Sequence, residues 1–154
     1  MIPATARRVA DQTSDEVNET IRRQTEENVR RVAAGGPLAI ARRLEELDRE
    51  WDIERTLEAN AATAVLVGLT LGAIVDRKWF MFPALVGGFL LQHAVQGWCP
   101  PLPVFRRMGF RTQTEIDNER YALKALRGDF QGVDGEQVGR GSAEARDALS
   151  AATR

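Results

Sequence analysis

Residues 59–75 read ANAATAVLVGLTLGAIV and residues 79–98 read WFMFPALVGGFLLQHAVQGW. Neither stretch holds a charged residue, and only Asp76, Arg77 and Lys78 separate them. At 1.5 Å rise per residue the first stretch spans about 25 Å as a helix and the second about 30 Å. A bilayer core of about 30 Å takes about 17–25 apolar residues, so each run has the length of a membrane span. A surface helix of a soluble protein carries a polar stripe, and neither run has one. The pair therefore predicts a transmembrane hairpin rather than a soluble core hairpin.

Working outward, the averages of the 154-residue chain conceal this pattern. A hydrophobic content of 44%, a charged content of 28% and a net charge of -1 describe an ordinary soluble domain. The charges, however, lie almost wholly in residues 1–58 and 106–154. Arg42, Arg43, Arg49 and Arg55 precede the hairpin and Arg106, Arg107 and Arg111 follow it. The turn offers only Arg77 and Lys78, so the positive-inside rule predicts both termini in the cytoplasm. No apolar stretch follows Arg7 and Arg8, so the first run is itself expected to act as the targeting signal.

Small residues recur at four-residue spacing: Ala64, Gly68 and Gly72 in the first run, Ala84 and Gly88 in the second. In lipid such spacing lets helix backbones approach closely. The spacing alone leaves open whether the contact lies within the hairpin or between two chains. Trp51 and Trp98 fall near one end of the hairpin and Trp79 at its turn, where an aromatic belt would sit. Gln92, His93 and Gln96 form a polar group in the second span. They face another helix or lie near hydrated headgroups, and Asn60 could bond to them across the hairpin.

The linear organisation reads as a polar N-terminal helical arm (1–37), an amphipathic helix with the hairpin (38–111), a cytoplasmic helix (112–130) and a mostly disordered tail (131–154). The fold class is all-α. Thr13 with Glu16 and Thr112 with Glu115 predict capping boxes for helices over 13–32 and about 113–127. Ile40, Leu44, Leu47 and Trp51 form a seam suited to the membrane surface or to a partner helix, in a helix expected to run on into the first span. Ile116, Leu123 and Leu126 form the apolar face of the later helix. Pro100, Pro101 and Pro103 are expected to stop any helix at the exit from the bilayer. A short helix after Ser142 would interrupt the tail.

Cys99 is the only cysteine, which excludes a disulfide scaffold. One Cys and one His cannot close a tetrahedral metal site, so no metal or other cofactor is expected. His93 lies about 600° around a helix from Cys99, which does not predict a nucleophile and base pair. The Arg pairs sit among Asp and Glu with no stacking aromatics, which argues against nucleic acid. Arg106, Arg107 and Arg111 read instead as contacts to anionic lipid headgroups. No phosphate loop, triad or carboxylate pair marks an enzyme. Cys99 remains the candidate thiol.

The hairpin, with Gly97-Trp98-Cys99-Pro100 and Gly109-Phe110 after it, resembles a small bacterial inner-membrane domain of unknown function that also occurs fused to rhodanese sulfurtransferase modules. The resemblance covers about residues 40–110. It implies the inner membrane, dimerisation through the membrane helices and a cytoplasm-facing cysteine. The chain lacks a rhodanese module, so sulfur transfer would need a separate sulfurtransferase as partner. The expectation is thus a non-enzymatic anchor whose cytoplasmic helices bind a partner or a second copy, as a homodimer or within a larger membrane complex. The alternative is a thiol or persulfide relay through Cys99.

Overall fold

A computed structural model describes residues 4–131 and 142–153. These residues are all-helical, with no strand among them. The helices are α1 (Arg8–Asp11), α2 (Asp15–Ala34), α3 (Gly36–Arg49), α4 (Ile53–Ile74), α5 (Met81–Gln96), α6 (Leu102–Arg107), α7 (Gln113–Arg127) and α8 (Ser142–Thr153). α8 falls within the stretch read as a disordered tail, of which residues 132–141 lie outside the described part. The chain divides into two compact units, each assembled from separated segments: 1–22 with 51–114, and 23–50 with 115–154. Helix pairing, not chain order, sets this division, and α3 groups with α7 rather than with the hairpin.

In the first unit α4 and α5 form the hairpin. Asp52 caps α4 by accepting a 2.8 Å bond from Arg55 N. At 22 residues α4 is about 33 Å long, starting before the uncharged run. The second run is not one continuous helix. Trp79 and Phe80 belong to a 3-10 turn (Arg77–Phe80), and α5 has 16 residues, about 24 Å. Among the described residues, one apolar helical segment, within Gly36–Ile74, is long and apolar enough to cross a membrane.

Gly68 and Gly72 are buried within the hairpin. A Cβ on Gly68 would stand 2.6 Å from Pro83 Cδ, and one on Gly72 2.7 Å from the Phe80 ring. These glycines therefore admit the 3-10 turn and the start of α5, one of the two packings the spacing left open. Ala84 and Gly88 lie on the exposed side of α5, and nothing stands within 4 Å of a Gly88 Cβ. They take no part in the hairpin contact.

Val9, Ile53, Leu57, Cys99 and Leu102 make the core at the base of the hairpin, and Phe105 and Phe110, edge to face with one another, pack against it. The prolines do not prevent a helix here: Pro101 precedes α6 and Pro103 sits in its first turn. A proline is tolerated there because its missing N–H would have had no partner. Thr13 is not a helix cap. Its hydroxyl donates to Val9 O at 2.7 Å and accepts from Arg106 Nε at 3.2 Å, and α2 begins at Asp15.

Arg106 and Arg111 correct a second expectation. Arg106 is 1% exposed and Arg111 7%, so neither guanidinium is free for a lipid headgroup; Arg107 is exposed. Arg106 donates to Phe110 O at 2.9 Å and Asn18 Oδ1 at 3.0 Å, joining α6 to the start of α2.

In the second unit Ile40, Leu44 and Leu47 pack with Ile116 and Leu123, flanked by Val29 and Val32. The seam of α3 is thus covered by its own chain, and this contact replaces the lipid or partner expected for it. Trp51 lies beyond a break: Glu50 is extended, α3 has ended, and the Trp51 ring is exposed beneath the Arg55 guanidinium at 4.3 Å. Leu126 is exposed, and Glu119, 0% exposed, occupies the buried face of α7 instead. Arg43 donates to both Glu119 oxygens at 2.7 and 3.3 Å, which holds the guanidinium still more firmly charged.

Candidate functional site

The polar residues of the first unit converge where α1, α4 and α5 meet. α5 ends at Gly97, whose φ of 82° is left-handed and whose N–H bonds to His93 O at 2.7 Å. A Cβ there would stand 2.4 Å from Arg8 O, so glycine is required both by conformation and by the passage of α1. The reversal at Gly97 brings Cys99 back onto the end of α5. The backbone then closes a turn, with Leu102 N donating to Cys99 O at 3.1 Å.

His93 is buried and its Nε2 lies 2.8 Å from Glu54 Oε2. The other Glu54 oxygen accepts a 2.8 Å bond from Arg8 Nη2. Cys99 is also buried, and its thiol is the imidazole's neighbour on the other side. His93 Nδ1 is buried with no hydrogen bond of full geometry. Arg8, Glu54, His93 and Cys99 therefore form one chain of contacts. The helical-wheel separation of His93 and Cys99 failed as a guide because the helix ends between them.

No family model, no curated protein and no solved structure matches this chain. The chemistry of the site therefore rests on its own geometry. A thiol beside an imidazole whose far nitrogen is held by a carboxylate has the connectivity of an activated nucleophile. Among residues whose side chains are described, no group of His, Cys, Asp and Glu could hold a metal ion.

The other predicted polar residues lie apart from this chain. Asn60 and Gln96 are exposed and Gln92 is half-buried. Glu54, not Asn60, meets His93 across the hairpin. Glu54 and Arg8 were missed because both read as ordinary flanking charges. Only the return of α1 over Gly97 makes Arg8 a neighbour of α4 and α5.

Cys99 also lines a groove of about 250 Å³ between α4 and α5. Leu57, Ala61 and Ala64 form one wall; Phe82, Val86 and Phe89 form the other. The three- and four-residue spacing on each helix makes the groove run along the hairpin axis, with the thiol at its base.

Proposed function

We propose that the chain is a bacterial inner-membrane protein in which α4 and α5 form a transmembrane hairpin with both termini in the cytoplasm. The hairpin anchors helices that bind a partner or a second copy, as a homodimer or within a larger complex, and the protein itself is not an enzyme. The observation that carries this reading is the outer surface of the hairpin. Leu66, Leu69, Ile74, Met81, Leu85 and Leu91 are all exposed there, and only 17% of the apolar window in the first helix is buried. A contiguous exposed apolar surface marks a membrane or protein contact, and the lack of charge over both runs favours lipid. On this reading Ala84 and Gly88, open on α5, are where a second copy would approach. The resemblance to the rhodanese-associated domain supports the same assignment. In cell fractions the protein should stay in the membrane pellet through alkaline carbonate washing. Recovery in the aqueous wash would overturn the proposal.

The contact of Cys99 with His93 favours a second reading, a thiol or persulfide relay. Cys99 would take sulfur from a cytoplasmic sulfurtransferase or pass it on. Full function of Cys99→Ser in a strain with a measurable phenotype would refute it.

A further inference from the structure

We propose that the hairpin fits a bilayer whose hydrocarbon core is about 24 Å thick, and so selects lipids with short acyl chains. The inference rests on the membrane reading above and adds to it a preference among lipids. Polar groups fix both limits of the apolar belt. At the base, Glu54 Oε2 lies 2.8 Å from His93 Nε2, so α4 and α5 share a polar level there. Arg8 joins Glu54 at 2.8 Å, and the Arg8 and Glu54 side chains keep 20% and 30% of their surface exposed. Ions that reach the surface at this level belong among headgroups and water, because a charge exposed to hydrocarbon is costly. At the other limit Asp76, Arg77 and Lys78 are all exposed. Lysine and arginine can extend outward along their apolar stems. Asp76 cannot, since its short carboxylate accepts a 2.8 Å bond from Lys78 N and its charge stays at the turn.

The distance between these limits is short. α5 runs about 18 Å from Met81 to His93, and the 3-10 turn adds at most about 6 Å back to Lys78. α4 gives the same figure independently, because its uncharged run between Glu58 and Asp76 covers about 25 Å. An average hydrocarbon core is about 30 Å thick. A span longer than the core can tilt until it fits, but a shorter one cannot lengthen. The lipid therefore takes up the difference, by thinning around the hairpin or by exchange for shorter chains. Shorter chains remove the deformation altogether, so they are the favoured neighbours of this hairpin.

The test reconstitutes the full chain into phosphatidylcholine vesicles with dimyristoleoyl, dioleoyl or dierucoyl chains, each mixed with dibrominated dioleoyl-phosphatidylcholine. Bromine quenches tryptophan fluorescence, so the intensity reports which lipid lies against the protein; Trp51 and Trp79 are both exposed. Dimyristoleoyl chains should bind the hairpin about threefold or more tightly than dierucoyl chains. Insertion of Leu-Ala-Leu-Leu after Ile74 and again after Phe80 lengthens each helix by about 6 Å and should move the preference to dioleoyl chains. The wild-type ratio is read on one protein, so it stands even if the insertion variant fails to fold. Equal binding of the three lipids, or a preference of wild type for the long chains, overturns the proposal while leaving the hairpin in the membrane. An unchanged preference in a folded insertion variant overturns it equally. Quenching by no brominated lipid, with the protein in the aqueous wash, is a separate failure: it removes the membrane reading and the lipid preference with it.

Discussion

Gly97→Ala tests the construction of the site most directly. Two costs combine at this position. A residue with a Cβ in the left-handed region costs about 1–2 kcal/mol. The added carbon would also stand 2.4 Å from Arg8 O and 2.6 Å from Arg8 C, both backbone atoms that cannot rotate away. Overpacking of this kind costs about 1–3 kcal/mol, giving about 2–5 kcal/mol in all. Gly109 supplies the control, because its φ of 93° is also left-handed but nothing stands within 4 Å of its Cβ. Gly109→Ala should therefore cost only the conformational part. At about 2–4 °C per kcal/mol for a chain of this size, the two variants should separate by several degrees in melting temperature. Thermal unfolding of the detergent-solubilised protein measures both. Equal shifts would show that α1 does not pass over Gly97, and the placement of Arg8 on Glu54 would fall with it.

Arg106→Ala leaves the half-buried Phe110 O and Asn18 amide oxygen without this donor, at about 1 kcal/mol for each, in addition to the packing lost with the buried arginine, whereas Arg107→Ala at an exposed position should stay within about 0.5 kcal/mol. Chemical denaturation of the two variants checks this, and similar midpoints would refute it. Glu119→Ala removes the buried carboxylate that takes two bonds from Arg43, which keeps Glu46 and Glu50 as partners, and should cost about 1–3 kcal/mol, while Glu46→Ala, at a carboxylate 64% exposed, should cost little; the same assay separates them. Burial lowers the Lys124 ammonium below its ordinary value, and its Nζ bonds to Ala152 O at the end of α8. The unfolded chain then holds this proton more tightly, so stability rises with pH through the window that ends near 10.5. Lys124→Met should flatten that rise in urea midpoints, and an unchanged slope would refute the assignment.

The all-helical class, the hairpin, the helix that ends at Gly128 and the helical nature of α3 were legible in sequence, because each rests on local periodicity, caps and breakers. The close approach of the hairpin at Gly68 and Gly72 was legible as a spacing, though not as a choice of partner. What the sequence could not show depends on which distant groups become neighbours. Arg106 and Arg111 have the composition of a headgroup contact, yet Arg106 is buried by bonds to residues some ninety positions away, such as Asn18. Glu119 looks like a solvent-facing acid on α7 until Arg43 is placed against it.

The same division holds for the site. Sequence alone determined that one thiol lies at the end of an uncharged hairpin and that His93 lies one to two turns before it. Tertiary structure decided that these two residues meet. The helix stops at a left-handed glycine and α1 crosses close above it. Glu54 then reaches His93 from the facing helix, held in place by Arg8. A helical wheel assumes continuous rotation, and Gly97 ends that rotation between the imidazole and the thiol.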